Sequence, residues 1–491
     1  MSKLKQKAAS GMVWTAAQKY SVMGIRFISG IILARLLTAY DYGCIGMLNL
    51  FMVLAESFIS GGFGTALIQK KNPTQEDYST VFYWNIVVAV IMYAILFFGA
   101  PAVARFYDIP VLKDVLRVQG LILFIYALNI VQQNMLRKNL NFKILSIVSI
   151  ITVIISLTVT IIMAAKGFGV WALVAQNMLL AAIPAAVFWV YSNWRPSWVF
   201  SVKSFKELFS FGFYMFLAHL VNQFSSQLQT LLIGRFYSPS TLGYYSKANS
   251  TERLASHSIS EVMTQVTYPL YAQVQDNQAT MINMVKRLTM TVSYITFPLM
   301  FILMLTARPM FILLYSERWI DSVPYFQVLC FAGLAGCLQS VNLQTISAIG
   351  KSRTMFVWTM IKRAIGISAV VLGLATLGMK GLLLGVVFNY WFSYAVNINL
   401  VSKHIGYKWG RQVMDLMPVA VVSLLAAAVS YGVGWLLHLD LYPDGLVKLL
   451  VYILVYMGWS VLFRPEAYTY FLTTIPKKFR FWERHKKTAA V

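Results

Sequence analysis

The stretch IILARLLTAYDYGCIGMLNL (31–50) aligns without gaps on LLIGRFYSPSTLGYYSKANS (231–250), at a shift of 200 residues (231 − 31 = 200). Apolar positions match by chance between any two membrane sequences, but three identities here involve charged, small or polar residues. The identical pairs are Arg35 and Arg235, Gly43 and Gly243, and Asn49 and Asn249. The alignment therefore predicts that the chain contains an internal repeat.

The repeat extends beyond this stretch at a drifting offset. Lys166-Gly167 corresponds to Lys380-Gly381, a shift of 214 (380 − 166 = 214). Each copy then supplies six helices, so both copies begin on the same side of a membrane and the repeat is parallel. Repeated helical halves are the usual build of alternating-access transporters, which bind substrate at the repeat interface. The predicted divisions are two six-helix halves, two additional helices and a basic tail, at residues 1–200, 201–405, 406–464 and 465–491.

The composition predicts that these helices lie in a lipid bilayer. Hydrophobic residues make up 58% of the 491 residues and charged residues only 12%, against about 25% charged residues in soluble domains. The mean hydropathy is +0.66. Apolar runs of about 20 residues, enough to cross the hydrocarbon core, recur along the whole chain. The predicted fold is an all-α polytopic membrane protein whose two repeated halves surround a central cavity.

About fourteen transmembrane helices are predicted by this criterion. The spans are 11–37, 42–67, 78–100, 115–136, 143–165, 169–191, 207–235, 242–270, 286–306, 322–349, 354–377, 381–401, 414–437 and 445–463. The first span is longer than a signal-peptide core and no A-x-A-type site follows it, so we expect it to be a retained helix.

The distribution of lysine and arginine predicts the orientation. Most of the 41 basic residues fall on one side of the membrane if both termini are cytoplasmic, as the positive-inside rule requires. The tail from Lys477 to Lys487 would then lie against anionic lipid headgroups. This accounts for the formal charge of +24 without nucleic acid, for which the sequence has no binding motif.

Polar side chains form stripes on several predicted helices, where a charge is costly unless it faces a cavity. On the first helix, Lys19 and Arg26 lie two turns apart on one face, about 10.5 Å along the axis. Arginine and lysine suit phosphate oxygens, and amide or imidazole groups suit sugar hydroxyls. We therefore predict a cationic cavity between the halves for an anionic, hydroxyl-rich ligand. The predicted substrate-binding residues are Lys19, Arg26, His219, Asn222, Gln223, Lys247, Asn249 and Arg253.

Carboxylates in the same helices are candidates for proton or cation coupling, namely Glu56, Glu252 and Glu261. Other interpretations stay open for several residues. Lys19 lies near the cytoplasmic end, where snorkelling to the headgroups is an alternative to ligand contact. Lys247, Glu252 and Arg253 could instead be mutual ion pairs. His219 could be an ordinary hydrogen-bonded helix residue.

The sequence contains no catalytic motif: it has no phosphate-binding glycine-rich loop, no H-E-x-x-H and no Ser/His/Asp set. Cys44, Cys330 and Cys337 lie in apolar stretches without metal-ligand spacing, so we expect buried packing residues and predict no cofactor and no metal. Lys362 and Arg363 are expected on a slope that faces the cytoplasm. The stretch Gly61-Gly62-Phe63-Gly64 is a place where a helix could bend.

Six segments carry a resemblance to a known family. They are GIILARLLTAYDYGCIGM (30–47), SGGFGTALIQKKNPTQEDYSTVF (60–82), VQQNMLRKNLNFK (131–143), KGFGVWALVAQ (166–176), FKELFSFG (205–212) and IGRFYSPSTLGYYSKA (233–248). They resemble the polysaccharide transporter family of the multidrug/oligosaccharidyl-lipid/polysaccharide exporter superfamily, above all its Wzx-type lipopolysaccharide and colanic acid exporters. The resemblance thins beyond residue 290, where FPLM (297–300) and the helix pattern persist.

The resemblance implies a multi-pass protein of the bacterial cytoplasmic membrane that exports an undecaprenyl-diphosphate-linked oligosaccharide by alternating access. The product would serve lipopolysaccharide, exopolysaccharide or capsule synthesis, and other membrane proteins of polysaccharide assembly are implied partners. In the related lipid II flippases, basic residues of the first helix and the second half hold the diphosphate. Arg26 and Arg253 occupy comparable places. The extra C-terminal helix pair of those flippases forms a lipid-tail groove, a role the resemblance extends to residues 406–464.

Two rival functions make different predictions. A multidrug or organic-cation antiporter of the same superfamily would have acidic cavity residues, because its cargo is cationic, whereas most in-helix charges here are basic. A membrane O-antigen polymerase or ligase would have a large external loop that carries catalytic groups. The longest predicted external stretches, 101–114 and 307–321, are short, so both rivals are less well supported than a flippase.

Overall fold

The computed structural model describes residues 2–474, in which there are seventeen α-helices, one 3-10 turn and no strand. This confirms the all-α prediction. The helices are α1 (Ser2–Leu36), α2 (Ala39–Ser60), α3 (Phe63–Gln69), α4 (Gln75–Tyr107), α5 (Val111–Gly120), α6 (Ile122–Lys138), α7 (Phe142–Ala165), α8 (Val170–Tyr191), α9 (Val202–Phe236), α10 (Pro239–Val274), α11 (Gln278–Leu305), α12 (Ala307–Tyr315), α13 (Ser322–Ala348), α14 (Ser352–Ile405), α15 (Trp409–Leu437), α16 (Leu441–Phe463) and α17 (Glu466–Thr474). The 3-10 turn covers Glu317–Trp319. Residues 475–491, with most of the predicted basic tail, lie outside the described residues.

Ten stretches within the described range are long and apolar enough to cross a membrane. They are α2, α4, α5 together with α6, α7, α8, α11, α13, α14, α15 and α16. The protein is therefore a multi-pass membrane protein. Helices α1, α9 and α10 have 35, 35 and 36 residues, long enough to span, but they are more polar and are not among the ten. The count of fourteen stays a prediction.

One predicted span, 42–67, is wrong because a glycine pair divides it into α2 and α3. Gly61 and Gly62 have φ values of 47° and 75°, in the left-handed region that favours glycine. A Cβ on Gly62 would also lie 2.1 Å from the carbonyl oxygen of Gly212 in α9. The left-handed backbone and the close approach both require glycine at this position.

Helix α14 contains both predicted spans 354–377 and 381–401. The backbone leaves the helical region at Gly378, with φ 61° and ψ −139°. The two segments then pack closely: a Cβ on Gly373 would lie 2.2 Å from the Gly381 carbonyl oxygen, and one on Gly385 would lie 2.6 Å from that of Ala369. Small residues allow such close backbone packing between membrane helices, so α14 is a helical hairpin.

The chain forms two compact units, divided between Ser246 and Lys247. In the first unit, α1 packs on α7, α7 on α8, and α2 on α9. In the second unit, α13 packs on α14 and α11, and α15 packs on α16 and α11. The three cysteines are buried, as predicted.

The repeated stretch forms two equivalent helix starts. Thr38 caps α2: its hydroxyl accepts a hydrogen bond from the backbone N–H of Asp41 at 3.4 Å, and the Asp41 carboxylate accepts one from the Thr38 N–H at 2.9 Å. Ser238 has the same place before α10, where its hydroxyl accepts from the Thr241 N–H at 3.2 Å. Such side-chain acceptors satisfy N–H groups that a helix start leaves open.

These two helix starts also contact each other reciprocally within the first unit. A Cβ on Gly43 would lie 1.8 Å from the carbonyl oxygen of Pro239, and a Cβ on Gly243 would lie 1.9 Å from that of Ala39. Positions 39 and 239 are partners in the sequence alignment, as are 43 and 243. The contact therefore has the two-fold symmetry that a sequence repeat predicts.

Candidate functional site

Lys247 on α10 is enclosed by aromatic side chains of the second unit. The residue is 7% exposed, and its ammonium lies 4.1 Å from the ring centroid of Tyr315 and 5.5 Å from that of Trp319. One turn further along α10, the Thr251 hydroxyl is 3.1 Å from the Tyr315 hydroxyl. A desolvated cation–π contact is worth about 2 kcal/mol. These four residues, the Lys247 cluster, hold the charge inside the protein.

The neighbouring polar residues of α10 differ in exposure. Glu252 is buried, Asn249 is half-buried and Arg253 is exposed. In the described part of the chain, the Oε1 atom of Glu252 has no hydrogen-bond partner and no ion pair joins Glu252 to Arg253. The Oε1 atom faces Gly333 of α13, where a Cβ would lie only 2.3 Å away. The Ser256 side chain hydrogen-bonds the carboxylate, but a buried carboxylate with one oxygen left unpartnered is still costly as an anion, so this group is a candidate for binding a proton.

The other two predicted coupling carboxylates have different surroundings. Glu261 lies one turn after His257 on α10, and their side chains are 3.6 Å apart. Glu56 is half-buried on α2 in the first unit. Among residues 2–474, no group of three or more His, Cys, Asp or Glu side chains could hold a metal ion.

The predicted basic pair of the first unit lies on α1. Arg26 is exposed and Lys19 is half-buried. Part of the predicted polar stripe is used for packing instead, because the Ser146 hydroxyl of α7 donates a hydrogen bond to Gln18 Oε1 at 3.1 Å. Of the predicted pair, Arg26 is therefore the more exposed side chain.

The predicted polar residues of α9 also belong to the first unit. His219 and Asn222 are exposed. Gln223 is half-buried, and its Nε2 atom lies 3.3 Å from His219 Nε2, so these two residues form a pair within the helix. Helix α9 packs on α2, α3 and α4, whereas α1 packs on α7. The two predicted sets of the first unit thus lie on helices with different packing neighbours.

Aromatic and charged side chains form a cluster around α3 that was not predicted from the sequence. Phe63 is 1% exposed, and its ring centroid lies 6.3, 5.7 and 6.0 Å from those of Trp84, Phe205 and Phe209. The Gly62–Gly212 approach adjoins these rings. Together they fix α3 against α4 and α9.

Two lysines complete this cluster. The Lys70 ammonium lies 3.1 Å from Asp77 and 3.0 Å from Glu207. Burial alone would lower the pKa of Lys70, but the hydrogen bonds to Glu207 and Asp77 outweigh it and raise that pKa. Lys138 donates hydrogen bonds to the carbonyl groups of Leu67 and Ile68 at the end of α3, at 3.0 and 3.1 Å. We call Gly62, Phe63, Lys70, Asp77, Lys138, Glu207 and Gly212 the α3 cluster.

A sequence signal for the α3 cluster did exist. Its residues come from three of the segments that carry the family resemblance, at 60–82, 131–143 and 205–212. Separate segments that share one resemblance indicate that they meet in the fold, although the sequence does not say which side chains touch.

Lys362 is buried within the α14 hairpin, whereas the sequence predicted a slope facing the cytoplasm. The residue is 8% exposed, and its ammonium donates a hydrogen bond to Asn397 Oδ1 at 2.7 Å. The two residues lie on opposite segments of the hairpin. The expectation for Lys362 was wrong because the fold back at Gly378 covers that face of the first segment.

Comparison with known proteins gives consistent matches. The sequence model of a family described as polysaccharide biosynthesis protein matches residues 32–324. Teichuronic acid biosynthesis protein TuaB of Bacillus subtilis (strain 168) is 26% identical over 360 residues, 73% of this chain and 74% of the relative. Lipopolysaccharide biosynthesis protein WzxC of Escherichia coli (strain K12) is 22% identical over 438 residues, 88% of each chain. The solved structure of lipid II flippase MurJ in an inward closed conformation covers 92% of this chain and 99% of its own, with a TM-score of 0.73 and 15% identity. The last match shows a shared fold.

Proposed function

The chain belongs to the polysaccharide biosynthesis protein family, and from this we propose that it is a flippase for undecaprenyl-diphosphate-linked oligosaccharide. It carries this lipid from the cytoplasmic to the outer leaflet of the bacterial cytoplasmic membrane by alternating access. The observation that carries the proposal is the family match over residues 32–324 in a chain with ten apolar spans. Lipopolysaccharide, exopolysaccharide or capsule synthesis consumes the product.

Arg26 and Arg253 bind the diphosphate in this proposal. Both are exposed, and guanidinium groups form paired, charge-assisted hydrogen bonds with phosphate oxygens. Lys247 acts differently from the two arginines, since its ammonium is enclosed by Tyr315 and Trp319. It positions α10 from within the second unit. The remaining predicted residues bind the sugar hydroxyls or support the site, namely Lys19, His219, Asn222, Gln223 and Asn249.

Glu252 is the coupling group that we favour among the three carboxylates. It is buried with an unpartnered oxygen among the described residues, so its ionisation responds strongly to any rearrangement around α10. Glu261 is already paired with His257, which makes it a weaker candidate, and Glu56 stays a candidate in the first unit.

The topology in this proposal has both termini in the cytoplasm. The basic tail then contacts anionic lipids of the inner leaflet. Other membrane proteins of polysaccharide assembly deliver the cargo or receive it.

The rival functions are less well supported by the same observations. An organic-cation antiporter requires acidic groups at its cargo site, yet the exposed charges among the predicted site residues are Arg26 and Arg253. A polymerase or ligase requires a large external catalytic loop. The connections that would be external here are short, at residues 108–110 and 316–321.

The test is flipping of a diphosphate-linked lipid oligosaccharide in liposomes that contain wild-type protein, Arg26→Ala or Arg253→Ala. We expect each substitution to reduce the rate at least about tenfold, since a charge-assisted hydrogen bond contributes about 1.5–3 kcal/mol. Arg353→Ala is the matched control, because Arg353 is an exposed arginine outside the predicted site and its loss should leave flipping unchanged.

The experiment tests the proposed diphosphate site and the proposed flippase function separately. If wild-type protein flips the lipid and both variants match the control, the diphosphate site is wrong and the flippase function stands. If wild-type protein moves small organic cations but no lipid-linked sugar, the proposed function is wrong.

A further inference from the structure

A cleft of about 730 Å³ lies within the second unit, where α11, α12 and the connection between α15 and α16 meet. Leucine and isoleucine side chains, including Leu305 and Leu441, form its apolar part. Its polar part consists of four charged side chains: Arg308, Glu317, Asp444 and Lys448. The proposed orientation places this cleft at the outer leaflet, at the level of the lipid headgroups.

Two of the four charges neutralise each other. The Lys448 ammonium lies 2.6 Å from the Asp444 carboxylate and 5.3 Å from the ring centroid of Tyr431. The pair is held tightly by the facing helix, since a Cβ on Gly434 would lie 2.5 Å from both Asp444 Oδ1 and Lys448 Cε. This ion pair therefore forms a part of the cleft lining that has no net charge.

The other two charged side chains are not paired with any described residue. Arg308 and Glu317 are exposed, and within residues 2–474 neither side chain makes an ion pair or a hydrogen bond, including with each other. The cleft thus offers one cation and one anion, separated beyond ion-pair distance, beside an apolar wall. A ligand that matches it carries a negative and a positive group on one polar head and has an apolar body.

We propose that this cleft binds a zwitterionic phospholipid, with the phosphate on Arg308 and the ammonium of an ethanolamine headgroup on Glu317. A purely anionic headgroup would bring a second negative charge close to the Glu317 carboxylate, and like charges at short distance repel each other. The acyl chains then contact exposed apolar side chains of α16. These include Leu446, Leu450 and Leu454, which are 59%, 50% and 71% exposed. Their spacing of four residues forms one stripe along the helix. The inference is independent of which molecule the protein transports.

The test uses purified full-length protein and native mass spectrometry with phosphatidylethanolamine or phosphatidylglycerol of identical acyl chains. Wild-type protein should retain phosphatidylethanolamine in preference. Arg308→Gln should weaken its retention about tenfold, the loss expected for one charge-assisted hydrogen bond. Glu317→Gln should abolish the preference over phosphatidylglycerol. Arg318→Gln is the matched control, since Arg318 is exposed, adjacent in sequence and outside the cleft lining.

Two outcomes would overturn the proposal. If both cleft variants behave like Arg318→Gln, the retained lipid binds elsewhere. If wild-type protein prefers phosphatidylglycerol, the cleft binds an anionic phosphate instead. If a variant fails to fold, wild-type protein can be tested with phosphatidylcholine instead. The quaternary ammonium of this lipid has no N–H to donate to Glu317. Weaker retention of phosphatidylcholine than of phosphatidylethanolamine supports the proposal, and equal retention contradicts it.

Discussion

At the residue scale, Lys70 connects elements that are distant in the sequence, because its ammonium contacts Asp77 at the start of α4 and Glu207 at the start of α9. Lys70→Ala leaves Asp77, which is 1% exposed at its side chain, without this cation. We expect the free energy of unfolding to fall by about 1 kcal/mol, since the Lys70 side chain is partly exposed and its pairs are screened by solvent. Thermal unfolding of the purified protein in detergent measures the change.

Lys71→Ala is the control for Lys70, because Lys71 is exposed and contacts neither carboxylate. Its unfolding temperature should equal that of the wild type. An equal decrease in both variants would mean that the Lys70 pairs do not stabilise the α3 cluster.

Lys362 gives a second prediction at this scale. Asn397→Leu removes the oxygen that accepts its hydrogen bond at 2.7 Å and leaves a buried ammonium with one partner fewer. We expect a loss of about 2 kcal/mol of stability, the usual cost of an unsatisfied buried polar group. Asn399→Leu changes the same residue type at an exposed position, and unfolding of the two variants is compared under the same conditions. A result in which the two variants are equally stable would contradict the role of the Lys362–Asn397 bond.

The sequence predicted which residue types line the helices but not which of them are enclosed. Lys247 and Arg253 lie on one helix and were treated alike, yet one is buried and the other is exposed. The difference arises from Tyr315 and Trp319, which are more than sixty residues away in the chain (315 − 247 = 68). Helical periodicity gives the face of a side chain but not the partner that covers it.

At the element scale, the start of α2 tolerates only glycine at position 43. Gly43→Ala places a Cβ 1.8 Å from the Pro239 carbonyl oxygen, so the starts of α2 and α10 must separate. Overpacking of this kind costs about 1–3 kcal/mol, and we expect a lower unfolding temperature for Gly43→Ala and equally for Gly243→Ala. Fluorescence-detected size-exclusion chromatography after heating provides the measurement.

Gly24→Ala is the matched substitution in an open helix position. A Cβ at Gly24 meets no atom within 4 Å, and alanine favours helix by about 0.8–1 kcal/mol over glycine. Its unfolding temperature should be unchanged or higher. A stable Gly43→Ala protein would show that the two helix starts are not in tight contact.

Most helices could be predicted from apolar length, because the bilayer fixes how long a span must be. The span predicted at 143–165 is observed as Phe142–Ala165, and that at 322–349 as Ser322–Ala348. The short helices α3, α12 and α17 were not predicted as separate elements. They are too short to give an apolar-length signal, and the break before α3 depends on the φ values of Gly61 and Gly62.

At the scale of the whole molecule, the proposed orientation can be tested with a thiol reagent that does not cross membranes. Lys113→Cys should react in intact cells, because Lys113 is exposed on the side that we predict to be external. Lys71→Cys should react only after the membrane is opened. The native cysteines give little background, since all three are buried. The reverse pattern would place both termini outside.

The class of protein followed from composition and the family from a few segments, whereas the cargo site stays a proposal. Basic residues in apolar helices indicate that a polar environment exists. They do not say whether that environment is a ligand, as proposed for Arg26, or the protein itself, as observed for Lys362.

The paired approach of Gly43 to Pro239 and of Gly243 to Ala39 has the form of an isologous dimer contact, in which residue i meets j and j meets i. A shorter chain made of the first copy alone would carry both sides of this contact. Two such chains could meet there in the same way, and fusion of their genes would convert the dimer contact into an internal one. The geometry is therefore the one expected if the two copies descend from such a dimer, and the caps at Thr38 and Ser238 then use different side chains at equivalent positions.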